Sequence, residues 1–343
     1  MSFLANSRIL SAKDSDRTGR QSRSPIVCIT INNSGTRVIN TRLDRSIRIW
    51  KSSLSGLSDP VIIDNAHSEP VSCISWVPTT DYNFASAGGD SVVKIWRANG
   101  SLERDISVGG AGDTRKCKLV SFSPDGAIML AVTTSGIIYA YDVLDNYSLI
   151  TQFNLAESNG EGTVESTTNK DEITDIQWTN RGHSYFFVGL STGPILIINL
   201  EDRRLTLVHL LLGCRSVTCL LVDLRGKFIA AGSKDGVVSF WRTSDMTNCR
   251  ALTSVDQEIS SLSSSRDGSL ICVGYSSGSN SRVFDSDTLE ERKEIPNSTA
   301  GEDSKSVVAC YPTKSVLVYS SEKGDLLSYI RRDERAPDDR KRR

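Results

Sequence analysis

The chain writes one hairpin several times over. The stretch "ASAGGDSVVKIWRANG" at 85–100 reads as a small apolar strand, a Gly-Asp-Ser turn and a β-branched strand ending on Trp96. "VINTRLDRSIRIWKSS" and "IAAGSKDGVVSFWRTS" follow the same grammar. A lone two-stranded hairpin is marginal in water, so the copies must bury themselves against one another. Aligned on the residue that closes the second strand of each hairpin, they fall at Trp50, Trp96, Tyr141, Ile198, Trp241, Phe284 and Tyr329. The successive gaps are 46, 45, 57, 43, 43 and 45 residues.

A period of about 44 residues, with four strand-like runs in each unit, predicts a β-propeller. The expected fold class is all-β: a single seven-bladed β-propeller of four-stranded antiparallel blades. First strands alternate, as in "IVCITI", "VSCISW", "ITDIQW" and "VTCLLV". Turns built on Asp, Asn and Gly follow, such as "NNSG", "SPDG", "TNRG", "DLRG" and "SRDG". Fourth strands such as "LERDISV" and "YSLITQF" are mixed in polarity, as expected on the outside of a blade. Radial repetition leaves only short sheet edges exposed.

Closure has to come from the other end of the chain. After Tyr329 the sequence runs "IRRDERAPDDRKRR", too charged and too broken by Pro337 to make a last outer strand. The segment around Phe3, Leu4, Ile9 and Leu10 is apolar and stands alone. Part of residues 3–12 is therefore expected to complete the last blade. The expected organisation is a closing strand and linker at 1–24, the propeller at 25–330 and a charged, disordered tail at 331–343, with an acidic insertion at 156–170.

Composition narrows the function classes. The net charge of −1 gives no global attraction to nucleic acid, so any RNA contact should be weak and local. No apolar run is long enough to span a membrane. The N-terminus lacks the continuous apolar core of a secretion signal. Eight cysteines without a C-x-x-C pair read as buried free thiols in a reducing compartment. Three histidines form no ligand spacing, the "GGAGDTRK" stretch lacks the Gly-Lys-Ser/Thr end of a phosphate loop, and no G-x-S-x-G turn occurs. No catalytic residue, metal or cofactor is expected, and the chain is read as not an enzyme.

These units resemble the WD-repeat family over nearly the whole chain. The family's turn Asp, six residues before the aromatic, is matched at Asp44, Asp90 and Asp235. Its His before the first strand is matched only by His67, and its Ser/Thr, eight residues before the aromatic, by Ser233 in the fifth unit but by Gly88 in the second. The Trp-Asp pair is never intact. On this alignment no unit carries the family's hydrogen-bonded tetrad. The stretches "EITDIQWTNRGHSYFFVGLSTGPILIINL" and "LRGKFIAAGSKDGVVSFWRTSDMTNCR" further resemble the WD-repeat subunits of THO complexes. That resemblance implies a non-catalytic subunit of a nuclear assembly, the core of TREX, that couples transcription to messenger-RNA packaging and export. It implies docking on the large helical THO scaffold subunit, with an RNA helicase engaged indirectly. The alternatives are an adaptor in chromatin modification or ubiquitin ligation, and an RNA-binding propeller.

Candidate contact residues follow from loop placement. The insertion with Glu157, Glu161 and Glu165 joins an outer strand to the next inner one. Arg115, Lys116, Arg215 and Lys234 should share its face, either as partner contacts or as ordinary solvated charge. The tail ends in Arg340, Lys341, Arg342 and Arg343, a basic run that serves as a nuclear address, a phosphate contact or a solubilising end.

Overall fold

The computed structural model describes residues 7–14, 24–53, 55–109, 114–156, 171–180, 182–301 and 304–331. Expectations on Phe3, Leu4, most of the acidic insertion and the basic tail fall outside these residues. The described residues form seven four-stranded antiparallel sheets and no helix. Blades one to six are built in chain order, each from four consecutive strands. Their first strands are β2 (Ile26–Ile31), β6 (Cys73–Trp76), β10 (Cys117–Phe122), β14 (Ile173–Trp178), β18 (Val217–Val222) and β22 (Ile259–Ser264). With β26 (Val308–Cys310) of blade seven, these strands pack side by side around the axis.

Blade seven takes its outer strand from the N-terminus. Strand β1 (Ser7–Ser11) pairs antiparallel with β28 (Leu326–Arg331), placing Ile9 opposite Tyr329. The edge left by the charged C-terminal segment is thereby covered. The clasp does not stop at the ladder. Ala12 N–H donates to Leu326 O at 2.9 Å, and Asp14 enters a buried pocket of blade one. There its carboxylate bonds the Arg42 guanidinium and lies 2.7 Å from Arg48 Nε. Arg42 also donates to Gly324 O of blade seven at 2.7 Å. One buried ion triad thus fastens the N-terminal strand, the first blade and the last blade.

Middle strands are buried on both faces: all six residues of β11 (Ile128–Thr133) and of β19 (Phe228–Ser233) are inaccessible. Outer strands such as β9 (Leu102–Ser107) and β25 (Glu291–Glu294) are mostly exposed. Inner-strand side chains stitch several blades to the neighbouring blade's backbone. Ser75 Oγ accepts Phe122 N–H at 3.1 Å, Asp175 Oδ2 accepts Leu220 N–H at 2.7 Å, and Ser263 Oγ accepts Cys310 N–H at 2.9 Å.

The turns between first and second strands form a second, circular set of links. Asn33 Nδ2 donates to Pro78 O at 2.9 Å, and Gly126 packs on Thr79. His183 Nδ1 lies 2.5 Å from Asp125 Oδ2, and Asn180 Nδ2 donates to Asp223 O at 2.7 Å. Arg225 reaches Ser286 Oγ at 2.7 Å, Arg266 reaches Thr313 O at 3.2 Å, and Thr313 Oγ1 returns to Ser34 O at 3.3 Å. The ring is therefore bridged at all seven blade junctions on this face. That rigidity suits a platform: loops held by a fixed scaffold present fixed contacts.

Candidate functional site

Trp50, Trp96, Tyr141, Ile198, Trp241, Phe284 and Tyr329 are all buried between or within blades. The sequence alignment denied every unit the polar tetrad, and blade two corrects it. His67 Nδ1 lies 2.8 Å from Asp90 Oδ1, His67 Nε2 2.7 Å from Ser86 Oγ, and Trp96 Nε1 donates to Ser86 Oγ at 2.8 Å. The hydroxyl comes from Ser86, ten residues before Trp96 rather than eight. A strand repeats its face every second residue, so a shift of two keeps the side chain on the same face. Gly88 has a separate duty: a Cβ there would meet the His67 ring at 2.5 Å.

The other units show how the tetrad is lost. In blade one Trp50 Nε1 donates to Asn40 Oδ1 at 2.7 Å, and Asp44 turns its carboxylate to Ser46 N–H at 3.0 Å. In blade five Ser233 bonds Asp235 within the turn, while Trp241 Nε1 donates instead to Leu212 O at 3.1 Å. The Tyr141 hydroxyl accepts Gly109 N–H at 3.1 Å.

The four basic candidates stand on the face carrying the outer-to-inner loops, but they do not converge. Arg115 donates to the Tyr139 hydroxyl at 2.8 Å, and Lys116 pairs with Glu69 across the junction of blades two and three. Arg215 and Lys234 are exposed at blade five, where Lys234 N–H donates to Ser216 O at 3.2 Å. Arg340, Lys341, Arg342 and Arg343 lie outside the described residues. Two of the candidates are thus engaged within the propeller, and the open pair is separated from them by blade four.

An axial cavity of about 340 Å³ is lined by Cys73, Ser75, Trp76, Ser121, Asp175 and Gln177, among others. Burial pushes the Cys28 thiol up to about 11 and that of Cys219 to about 12, which keeps both neutral. Burial likewise raises the Asp175 carboxyl to about 6 against the pull of the Leu220 and Ile176 N–H groups. Among the described residues no group of His, Cys, Asp and Glu is arranged to hold a metal ion. No helix among them is long and apolar enough to cross a membrane.

Sequence reasoning missed Asp14, Arg42 and Arg48. A lone Asp in a polar linker carries no periodic signal, and only the closed ring brings it to the two arginines.

Blade architecture and the tetrad of blade two define the class: this is a seven-bladed propeller that carries WD40 repeats. The family model described as "WD domain, G-beta repeat" matches residues 58–97 and 205–242. Each matched segment begins in an outer strand and ends in the third strand of the next blade. The sequence unit is therefore offset from the blade by one strand, the offset that β1 makes good.

Among curated proteins, THO complex subunit 3 of Arabidopsis thaliana is 24% identical over 245 residues, 70% of either chain. WD repeat-containing protein AAC3 of Dictyostelium discoideum is 27% identical over 269 residues, 71% of this chain and 51% of that one. Protein TEX1 of Saccharomyces cerevisiae is 24% identical over 226 residues, 63% of this chain and 51% of TEX1. The chain thus spans about half the length of the last two. Among solved structures, the Cps50 (Swd1) β-propeller domain of Myceliophteria thermophila superposes with a TM-score of 0.70 at 14% identity, covering 90% of this chain and 97% of that one.

Proposed function

We propose that the chain is a non-catalytic scaffold subunit of a THO-like nuclear complex, coupling transcription to messenger-RNA packaging and export. The observation that carries the reading is similarity to THO complex subunit 3 along 70% of both chains. In this reading the propeller docks on the large helical scaffold subunit and meets the complex's RNA helicase only indirectly. Rigidity at every blade junction suits the role, and the neutral cysteines and scattered basic residues offer no reaction centre. Direct RNA binding is weak in this reading, because the net charge is −1 and Arg115 and Lys116 are already engaged.

The test is to purify the native assembly through a tag on the full chain and identify its stoichiometric components. Recovery of a large helical THO-type subunit in a nuclear fraction is the expected result. Stable recovery of chromatin-modifying or ubiquitin-ligase subunits in its place overturns the reading in favour of another adaptor role.

A further inference from the structure

Two thiols meet across the junction of blades six and seven. Cys272 Sγ and Cys310 Sγ lie 3.3 Å apart, although 38 residues separate them in the chain. Cys272 stands on β23 (Leu270–Tyr275), the second strand of blade six, and Cys310 ends β26, the first strand of blade seven. Both pack in one apolar cluster with Val308, Leu317 and Tyr319. All eight cysteines belong to the described residues and all are free thiols. Other sulfurs turn to backbone carbonyls: Cys73 donates to Val120 O at 3.3 Å, Cys117 to Leu119 O at 3.6 Å and Cys249 to Phe240 O at 3.5 Å.

The backbone holds the pair in place. Ser263 of β22 pairs with Cys272 in the ladder of blade six, and its hydroxyl accepts the Cys310 N–H at 2.9 Å. Two residues back along each strand, Ser261 Oγ accepts the Val308 N–H at 3.1 Å. Ser260 Oγ donates to Ser306 O at 2.6 Å. These bonds fix the register of β26 on blade six, so the thiols stay together while the junction is intact. A disulfide is about 2.05 Å long, and small side-chain rotations on this frame bring the sulfurs to bonding distance.

The two thiols are not equivalent. Cys272 is 3% exposed, whereas Cys310 is only partly buried. The bond to Cys310 and burial together push the Cys272 thiol well above its ordinary value, so it keeps its proton. An oxidant arriving from solvent therefore meets Cys310 first, with Cys272 beside it as the resolving thiol.

We propose that Cys272 and Cys310 form an oxidation site, closed by a peroxide into a disulfide that clamps blade seven to blade six. The Cys310 thiolate attacks one peroxide oxygen and breaks the O–O bond, which leaves a sulfenic acid and, with one proton, a water. The Cys272 sulfur then attacks the Cys310 sulfur and the S–S bond forms. Its proton leaves with the departing hydroxide as a second water. The two thiols lose two electrons and the peroxide gains them. A dithiol reductant reverses the bond by exchange. Blade seven is where such a link matters: β1 completes it from the N-terminus, and β26, at three residues, is the shortest first strand in the ring. A bridge over the 38-residue separation also restricts the unfolded chain, so oxidation strengthens ring closure. The site does not depend on which complex the propeller joins.

The test uses the full chain, reduced and then exposed to a small molar excess of hydrogen peroxide. Alkylation followed by non-reducing peptide mass mapping reads the product. One intramolecular link between the Cys272 and Cys310 peptides is expected, with free thiols in the denatured chain falling from eight to six as two are consumed. The thermal midpoint should rise by several degrees and return when dithiothreitol is added. Cys310→Ser should lose both the link and the shift, whereas Cys249→Ser, at the exposed cysteine, should keep them. Cys272→Ala removes the resolving thiol without adding a polar group and should trap the Cys310 sulfenic acid as a dimedone adduct. Eight free thiols surviving the peroxide, or oxidation that maps to Cys249 pairs between chains, overturns the proposal. So does Cys310 sulfinic acid in the parent, or a link that appears only in denaturant. A link that forms and leaves the midpoint unchanged overturns the clamp.

Discussion

His67 Nδ1 lies 2.8 Å from Asp90 Oδ1, and the far side of the same ring touches Ser86. With Nδ1 donating to the carboxylate, Nε2 accepts the Ser86 hydroxyl, whose oxygen in turn accepts the Trp96 indole N–H. One unbroken line of donors and acceptors therefore runs from the blade core to the surface turn. Burial pushes the Asp90 carboxyl up, but the hydrogen bonds from His67 and from the Ser68 N–H outweigh it and hold the group below its ordinary value.

Ser86→Ala removes the central link and leaves the Trp96 N–H buried without an acceptor. The expected cost is ~1–3 kcal/mol of unfolding free energy. Chemical denaturation of the variant against the parent measures it, and an unchanged midpoint would show that the line contributes nothing. Asp90 also gives acid sensitivity. Its folded value is depressed, so its stabilisation is present above the ordinary carboxylate range and is lost as pH falls through that depressed value. Asp90→Asn should flatten the acid limb of the stability profile.

The clasp at the ring closure yields a second expectation. Asp14→Ala strips the buried Arg42 of its ion-pair partner and leaves Arg48 only the longer contact to Asp44 at 3.9 Å, which costs about 3–5 kcal/mol. Lys13→Ala, at the exposed neighbouring position, serves as the control and should cost little. Removing residues 1–14 altogether also strips the partner from β28 and exposes a strand edge. Light scattering on warming should then rise at lower temperature than in the parent; a truncated chain as soluble as the parent would show that closure is dispensable.

Trp241 tests the core of a blade that lacks the tetrad. Its side chain is 1% exposed, packed with Phe187, Ile195 and Ile229 at the junction of blades four and five. Trp241→Ala should cost ~3–5 kcal/mol through lost burial and a residual cavity. Trp241→Phe keeps most of the apolar volume but drops the bond to Leu212 O, so it should cost about 1 kcal/mol. If the two variants unfold at the same denaturant concentration, packing is not what holds this junction.

Repeat number, blade order and closure by the N-terminus were legible because each rests on periodic apolar residues and on Asx-Gly turns, which are local signals. The tetrad of blade two was misread for a reason of register. Gly88 occupies the aligned position, while Ser86 lies two residues away on the same strand face, and linear alignment cannot tell which of the two meets His67. The triad of Asp14, Arg42 and Arg48 was invisible because its members meet only across the closed ring. The basic candidates show the converse failure. Topology put Arg115 and Lys116 on the correct face, but their neighbours Tyr139 and Glu69 engage them there.

Asp175 provides the final expectation, because its titration runs opposite to that of Asp90. Its carboxylate faces the axial cavity and accepts the Leu220 N–H of the next blade at 2.7 Å. Cys28, Cys73 and Cys219 are its titratable neighbours, and burial raises all three thiols, so they stay neutral and set no charge beside it. Burial lifts Asp175 itself to about 6, above the ordinary carboxylate value near 4 that it regains on unfolding. The folded chain therefore holds a proton that the unfolded chain has released. Stability from this group is fully present below pH ~4 and is lost as pH rises through about 6. At neutral pH the ionised carboxylate is a liability of about 2–3 kcal/mol at most. Asp175→Asn keeps an amide oxygen to accept the Leu220 N–H and removes the charge. It should raise the denaturation midpoint at pH 7.5, have about half that effect at pH 5 and little below pH ~4, and flatten the profile across that range. Parallel profiles for parent and variant across that interval would show that Asp175 does not titrate there.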